Sequence, residues 1–200
     1  MVMPTIFSER ADAVNVTYDW FDVAAGAGYK TFYPASYKDN AAQKYVLSTE
    51  KVDSQLLYIG VGITNSNVEV NFDVTYNTNI IIGGGKCLIN YTTFTSGITD
   101  CYTVFTLYRV RGGAETSMGT TTTDTDTGAG GRRKMAVIDV TSTIFAPGDI
   151  LRLEVIFYSG ALSATIYFDP NGRQTYVEAG SGATIKTDMT VAIPFKAANV

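Results

Sequence analysis

The chain contains no histidine. That absence removes Ser–His–Asp and Cys–His relays, in which an imidazole takes the nucleophile's proton. It also removes His-ligated zinc, iron and copper. Cysteine is scarce: Cys87 and Cys101 are the two present, and their spacing matches neither CxxC nor a zinc pattern. A hairpin turning at Ser96-Gly97 would set them side by side as a cysteine pair, although two free, buried thiols fit the surroundings better. Charge is also low, at 17% of residues with a net −4, where ordinary domains carry about 25%. The one basic run, Arg132-Arg133-Lys134, follows a Gly-rich stretch and reads as a solvated loop end. Nucleic-acid binding, which needs clustered Lys and Arg, is not expected. No apolar run approaches the ~20 residues of a membrane span. The opening Met-Val-Met-Pro-Thr-Ile-Phe-Ser-Glu-Arg has neither the basic nor the apolar region of a signal peptide. The sequons at Asn15 and Asn90 therefore read as incidental. Gly83-Gly84-Gly85-Lys86 lacks the following Ser or Thr and helix of a phosphate loop.

What the sequence has in abundance is strand pattern. Val68, Val70, Phe72, Val74 and Tyr76 alternate with Glu69, Asn71, Asp73 and Thr75, the period of two expected of a strand with one buried face. Tyr102 to Val110, Leu151 to Tyr158, Met135 to Val140, Ala164 to Phe168 and Met189 to Phe195 make further strands. Leu56 to Val61 has no polar interruption and reads as a central strand covered on both faces. Weaker strand signals lie at Tyr29 to Tyr33, Lys44 to Leu47, Ile80 to Ile82, Lys86 to Thr92 and Glu115 to Thr123. A single helical turn is conceivable at Ala41-Ala42-Gln43.

Turn residues punctuate these runs, among them Gly112-Gly113, Pro147-Gly148-Asp149 and Asp169-Pro170-Asn171-Gly172. Many short strands at this spacing predict an all-β, two-sheet antiparallel sandwich, jelly-roll-like, with about 8–11 strands. Residues 1–22 are less patterned and read as an N-terminal arm or first strand, leaving 23–200 as a single sandwich domain. Thr120 to Gly131, rich in Thr, Asp and Gly, reads as a mobile loop.

Candidate chemistry is sparse. Asp124-Thr125-Asp126-Thr127-Gly128 alternates oxygen ligands but lacks the Gly placement and closing Glu of a calcium loop. No metal and no cofactor is expected. Carboxylate pairs such as Asp19 with Asp22, or Glu69 with Asp73, would suit glycoside hydrolysis only within a cleft, and the Glu69–Asp73 face reads as solvent-exposed. Among 13 Tyr, Tyr33, Tyr37 and Tyr176 are the candidates for a glycan platform, although strand aromatics usually form core and cross-strand pairs.

Phe145-Ala146-Pro147-Gly148-Asp149-Ile150-Leu151-Arg152-Leu153-Glu154-Val155 resembles the late-strand motif of trimeric jelly rolls of the C1q and tumour-necrosis-factor type, where a Gly-Asp turn launches an apolar strand. With Ala164 to Arg173, it is also similar to jelly-roll structural proteins of tailed bacteriophages. The resemblance, together with the missing histidine, implies a non-enzymatic virion structural protein. It would be a capsid decoration or cement component assembled in the host cytoplasm. Its partners would be itself, as a homotrimer, and other virion proteins such as the major capsid protein. The alternatives are a carbohydrate- or receptor-binding module of a phage tail, meeting a host surface glycan, and a glycoside hydrolase.

Overall fold

A computed structural model describes residues 27–39, 42–61, 66–97, 100–160, 163–178 and 180–196. The expected arm, with Trp20 and the Asp19–Asp22 pair, lies outside them. The described residues contain no helix. They form β1 (Ala27–Asp39), β2 (Ala42–Ser48), β3 (Tyr58–Val61), β4 (Ser66–Thr75), β5 (Ile80–Ile82), β6 (Gly85–Thr95), β7 (Cys101–Arg111) and β8 (Ala114–Thr122). There follow β9 (Gly130–Val140), β10 (Thr143–Phe145), β11 (Ile150–Ser159), β12 (Ala164–Tyr167), β13 (Thr175–Val177), β14 (Thr184–Lys186) and β15 (Thr190–Lys196).

Thirteen of these strands make one hydrogen-bonded surface folded into two layers. In the first layer β6 pairs β9 along its whole length, and on its other side it pairs β12 and then β15. β3 borders β12, while β5 and β10 extend the lines of β6 and β9. The second layer runs β2, β4, β11, β7, β8. β1 belongs to both: Ala27 to Phe32 pair with β15, and Tyr33 to Asp39 pair with β2. Such a strand turns the corner between two packed sheets. Opposite that corner β8 closes on β9 at Gly119, where a Cβ would lie 2.3 Å from the Asp139 carbonyl oxygen and 2.7 Å from Ile138 Cγ2. Only a residue without a side chain admits that seam.

The core follows from the alternation. Leu151, Leu153, Val155 and Phe157 on β11 are buried, as are Val70, Phe72 and Val74 on β4. Aromatic rings bridge the layers edge to face. Tyr91 meets Phe105 at 5.1 Å, Phe72 meets Phe168 at 5.2 Å, and Tyr76 meets Phe145 at 5.3 Å. Each fully buried Phe contributes about 1.5–3 kcal/mol by leaving water, and the edge-to-face pairs add about 0.5–1.5 kcal/mol each.

The all-β sandwich expected from the sequence is what the chain forms, with corrections of detail. Among the described residues fifteen strands replace 8–11, because Gly83–Gly85 splits one strand line into β5 and β6, and Thr141-Ser142 splits another into β9 and β10. The three-residue β13 and β14 form a separate small sheet. β2 and β4 meet in parallel at Val46 and Asp73, so the large sheet is mixed at that point. β3 is an edge strand, not a central one: Ile59 is buried while Leu56 and Tyr58 are exposed. Ala42 and Gln43 open β2 instead of a helical turn. Ser96-Gly97 does not close a hairpin, since β6 and β7 belong to different layers.

Candidate functional site

The densest group of interacting ionisable side chains lies on the outer face of the second layer, where β4, β11, β7 and β8 run side by side. The pleat that buries Leu151, Leu153 and Val155 turns Arg152 and Glu154 outward. The register sets Arg152 opposite Asp73 and Tyr108, and Glu154 opposite Asn71 and Thr106. Arg152 grips Asp73 with both arms of its fork, Nε to Oδ1 at 2.8 Å and Nη2 to Oδ2 at 2.7 Å, and reaches Glu115 with Nη1 at 2.5 Å. Such charge-assisted, bidentate contacts are among the stronger hydrogen bonds. They hold the guanidinium charged far above any working pH, the bond to Asp73 acting most. Tyr108 donates to Glu154 Oε1 at 3.4 Å, and the Thr106 and Thr120 hydroxyls meet at 3.0 Å.

Glu154 is the chemically poised member. Partial burial raises its pKa first, and the neighbouring charge of Glu69 raises it further. The Tyr108 phenol is raised by burial and by Glu154. A carboxyl that protonates more readily, beside a phenol, is able to exchange a proton with a bound group. The sequence showed that Glu69 and Asp73 share a strand face. Their partners Arg152 and Glu154, about eighty residues on, are brought to them only by cross-strand register.

The sequence's own candidates are placed elsewhere or differently. Tyr33 and Tyr37 share the second-layer half of β1, with Lys51 over the Tyr33 ring at 5.5 Å. Tyr176 sits on β13 and joins Phe94 at 4.8 Å and Tyr167 at 5.2 Å, taking a 2.5 Å hydrogen bond from the Tyr167 hydroxyl. The β13–β14 hairpin that carries it docks on the outside of the first layer. Gly131 makes room, since a Cβ there would stand 3.0 Å from Tyr176 Cβ. Tyr176 therefore serves a docked aromatic cluster and not a platform with Tyr33 and Tyr37.

Cys87 and Cys101 are both buried and free. Burial pushes the Cys87 thiol up to about 12 and the Cys101 thiol up to about 11, so neither is a thiolate near neutrality. The Thr120 to Gly131 stretch is pinned at Asp126. Its backbone exchanges hydrogen bonds of 2.9 and 2.7 Å with Cys101. Its buried carboxylate lies 3.0 Å from Arg132 Nε and 3.3 Å from Lys134 Nζ. The Arg132 Nε and Asp126 Oδ2 atoms lack an aligned hydrogen bond, so the attraction is electrostatic. The basic run is thus part of β9, not a loop end: Arg132 and Lys134 face inward to Asp126, and Arg133 faces outward to Asp188 at 3.2 Å. Close by, burial pushes the Tyr91 hydroxyl up to about 12, and no aligned hydrogen bond reaches it although Thr103 and Thr123 adjoin. Among the described residues, no three His, Cys, Asp or Glu side chains group to hold a metal ion. A crevice beside Phe32, Ile82, Ile193 and Phe195 offers about 10 Å³, room for about one water.

No family model matches the sequence, and no curated protein matches it. Solved structures do match in fold. An α-amino acid ester hydrolase superposes with a TM-score of 0.58 at 12% identity, over 84% of this chain and 36% of its own. A CocE/NonD family hydrolase from Staphylococcus aureus gives 0.55 at 12%, over 86% and 37%. An aminopeptidase from a marine sediment Thaumarchaeota archaeon gives 0.55 at 10%, over 86% and 37%. The chain spans little more than a third of each of these hydrolases, and at such identity the likeness is one of fold. The matches overturn two expectations from the sequence, that the chain is a non-enzymatic virion cement protein and that it is not an enzyme. The structure of infectious bursal disease virus, Gx strain, reaches a TM-score of 0.24 and lends no support to the virion reading.

Proposed function

We propose that the chain serves ester or amide hydrolysis as the β-sandwich part of a hydrolase. The observation that carries this reading is the asymmetry of the matches: nearly all of this fold recurs as about a third of longer hydrolases. The composition supplies the division of labour. Without histidine, these 200 residues cannot complete a Ser–His–Asp relay, so the base of such a relay comes from other residues. The sandwich supplies a rigid body on which a catalytic unit and its substrate are held, and rigid placement of reacting groups is itself a large share of catalysis.

Tagged at its natural level in its source cells, the chain should co-purify with turnover of α-amino acid esters or aminoacyl anilides. A serine-directed fluorophosphonate should block that turnover and label residues outside positions 1–200. The recombinant chain alone should not exceed the uncatalysed rate. Recovery of the chain without associated hydrolysis overturns the reading.

A further inference from the structure

Among the described residues, only the β13–β14 hairpin covers the outer face of the first layer, and much of the rest is apolar. Of the eight large hydrophobic side chains exposed among the described residues, Tyr29, Tyr58, Met135 and Ile144 stand on this face, and Val177 stands on the hairpin docked against it. Only Tyr37 belongs to the outside of the second layer. Leu88, Val137, Ala192 and Pro194 connect Tyr29 to Met135 by register, and Ile81 connects Ile144. Met135 and Ile144 are 62% and 63% exposed, so this is apolar surface in water and not a loosely packed core. Patches of this kind mark interaction sites.

Charge and area select the occupant. Ionic groups on the face come as neutral pairs, Lys86 with Asp139 at 2.9 Å and Arg133 with Asp188 at 3.2 Å, with Lys196 at one corner. A second copy laid on it meets no opposing row of like charge. The outside of the second layer sets Glu69, Asp73, Glu115 and Glu154 against Arg152 and Lys44, and two copies of that net negative face would repel. Four strand lines ~4.8 Å apart, averaging about ten residues at ~3.3 Å, give an upper limit of roughly 600 Å², part of it under the hairpin. Two such faces together bury up to about 1,200 Å², near the lower bound of specific, stable interfaces.

We propose that two copies of this chain associate through the outer faces of their first layers, with Met135, Ile144 and Tyr29 buried at the contact. A two-fold contact uses the same patch on both subunits, and a flat, neutral, apolar sheet suits it. This inference does not depend on the hydrolase reading.

Sedimentation velocity of the purified chain from about 1 to 100 μM, a range suited to an interface of this size, tests it. The mass should rise to twice 21.6 kDa across that range. Met135→Glu with Ile144→Glu should weaken association at least roughly 30-fold, as loss of a central apolar anchor does, with unchanged circular dichroism and with unchanged melting at concentrations low enough for the wild-type chain to be monomeric. Glu69→Lys, on the other layer, should leave association intact. If the glutamates disturb the melt, Met135→Gln and Ile144→Thr give the same reading more gently. A chain monomeric at the highest concentration overturns the proposal, as does an oligomer indifferent to both pairs of substitutions. A monomer that holds a hydrolase unit through Met135 assigns the face to that unit and equally overturns the second copy.

Discussion

The two outer faces of this sandwich are built on the same pleat and from opposite chemistry. Outside the second layer, side chains are tied to one another: Arg152 spans Asp73 and Glu115, Tyr108 leans on Glu154, and Thr106 meets Thr120. Outside the first layer, Met135, Ile144 and Tyr29 are exposed among the described residues. A charged network on a half-exposed face satisfies itself and gains little from a partner, because both its ions would have to shed water. An apolar face gains free energy in proportion to whatever area is covered. The difference shows that exposure alone does not identify an interface; what matters is whether the exposed groups have already found their partners.

The largest effect should come from breaking the seam that keeps the two faces back to back. Gly119→Ala drives a methyl into the Asp139 carbonyl and should cost about 3 kcal/mol, at the upper end of overpacking, read as a lowered guanidinium midpoint. Next comes Arg152→Met, which leaves Asp73 and Glu115 facing each other without their cation. A cost of about 2 kcal/mol is expected, less than for a fully buried pair, and Asp73→Asn added to it should recover part in a double-mutant cycle. Met135→Glu alone, on the apolar face, should move the stability of the monomeric chain at low concentration by less than about 0.5 kcal/mol, the sharpest contrast with Arg152.

The smaller tests concern pH, and the two carboxyls run in opposite directions. At the border of the charged face, the hydrogen bond from Arg111, with help from the Ala146 amide, holds Asp149 at about 2, below its ordinary 3.8. The stability it provides is therefore present above pH 3.8 and lost as pH falls toward 2. Asp149→Asn should flatten that part of the stability profile, measured by denaturant midpoints between pH 2 and 5. Glu154 is raised above its ordinary 4.5 by burial and by Glu69. Its contribution is present below pH 4.5 and lost as pH climbs through the raised value. Glu154→Gln should therefore raise the midpoint slightly at pH 7 and leave it unchanged at pH 3.5; an equal shift at both values would remove the charge from the explanation.

Much of the fold was legible because long strands alternate: β4, β7 and β11 announce their buried face residue by residue. The failures have specific causes. Leu56 to Val61 looked central because an unbroken apolar run is what a strand buried on both faces shows; here the run straddles a strand start, and Ile59 turns into the core while Leu56 and Tyr58 stay exposed. β10, β13 and β14, three residues each, are too short for a period of two to register. Arg132-Arg133-Lys134 looked like a loop end because three cations in a row hide the alternation that sends two of them inward to Asp126 and one outward to Asp188. The charged face was half legible. Glu69 and Asp73 are related by spacing, but Arg152 and Glu154 join them through a register that hydrophobic pattern sets only to the correct side, not to the correct partner. The comparison with hydrolases was invisible to residue-level reasoning, since at 10–12% identity it lies in topology alone.

The sharing of β1 between both layers also sets the order of events during synthesis. The N-terminal half of that strand has its partner in β15, with Phe32 opposite Val191 and Ala27 opposite Lys196. At ~5–20 residues per second, translation from one to the other takes roughly 10–30 s. The second layer is complete only once β11 has been made, late in that interval, and the first still waits for its closing strand; until β15 emerges, Phe32 and its neighbours stay available to chaperones or to strand exchange between nascent chains.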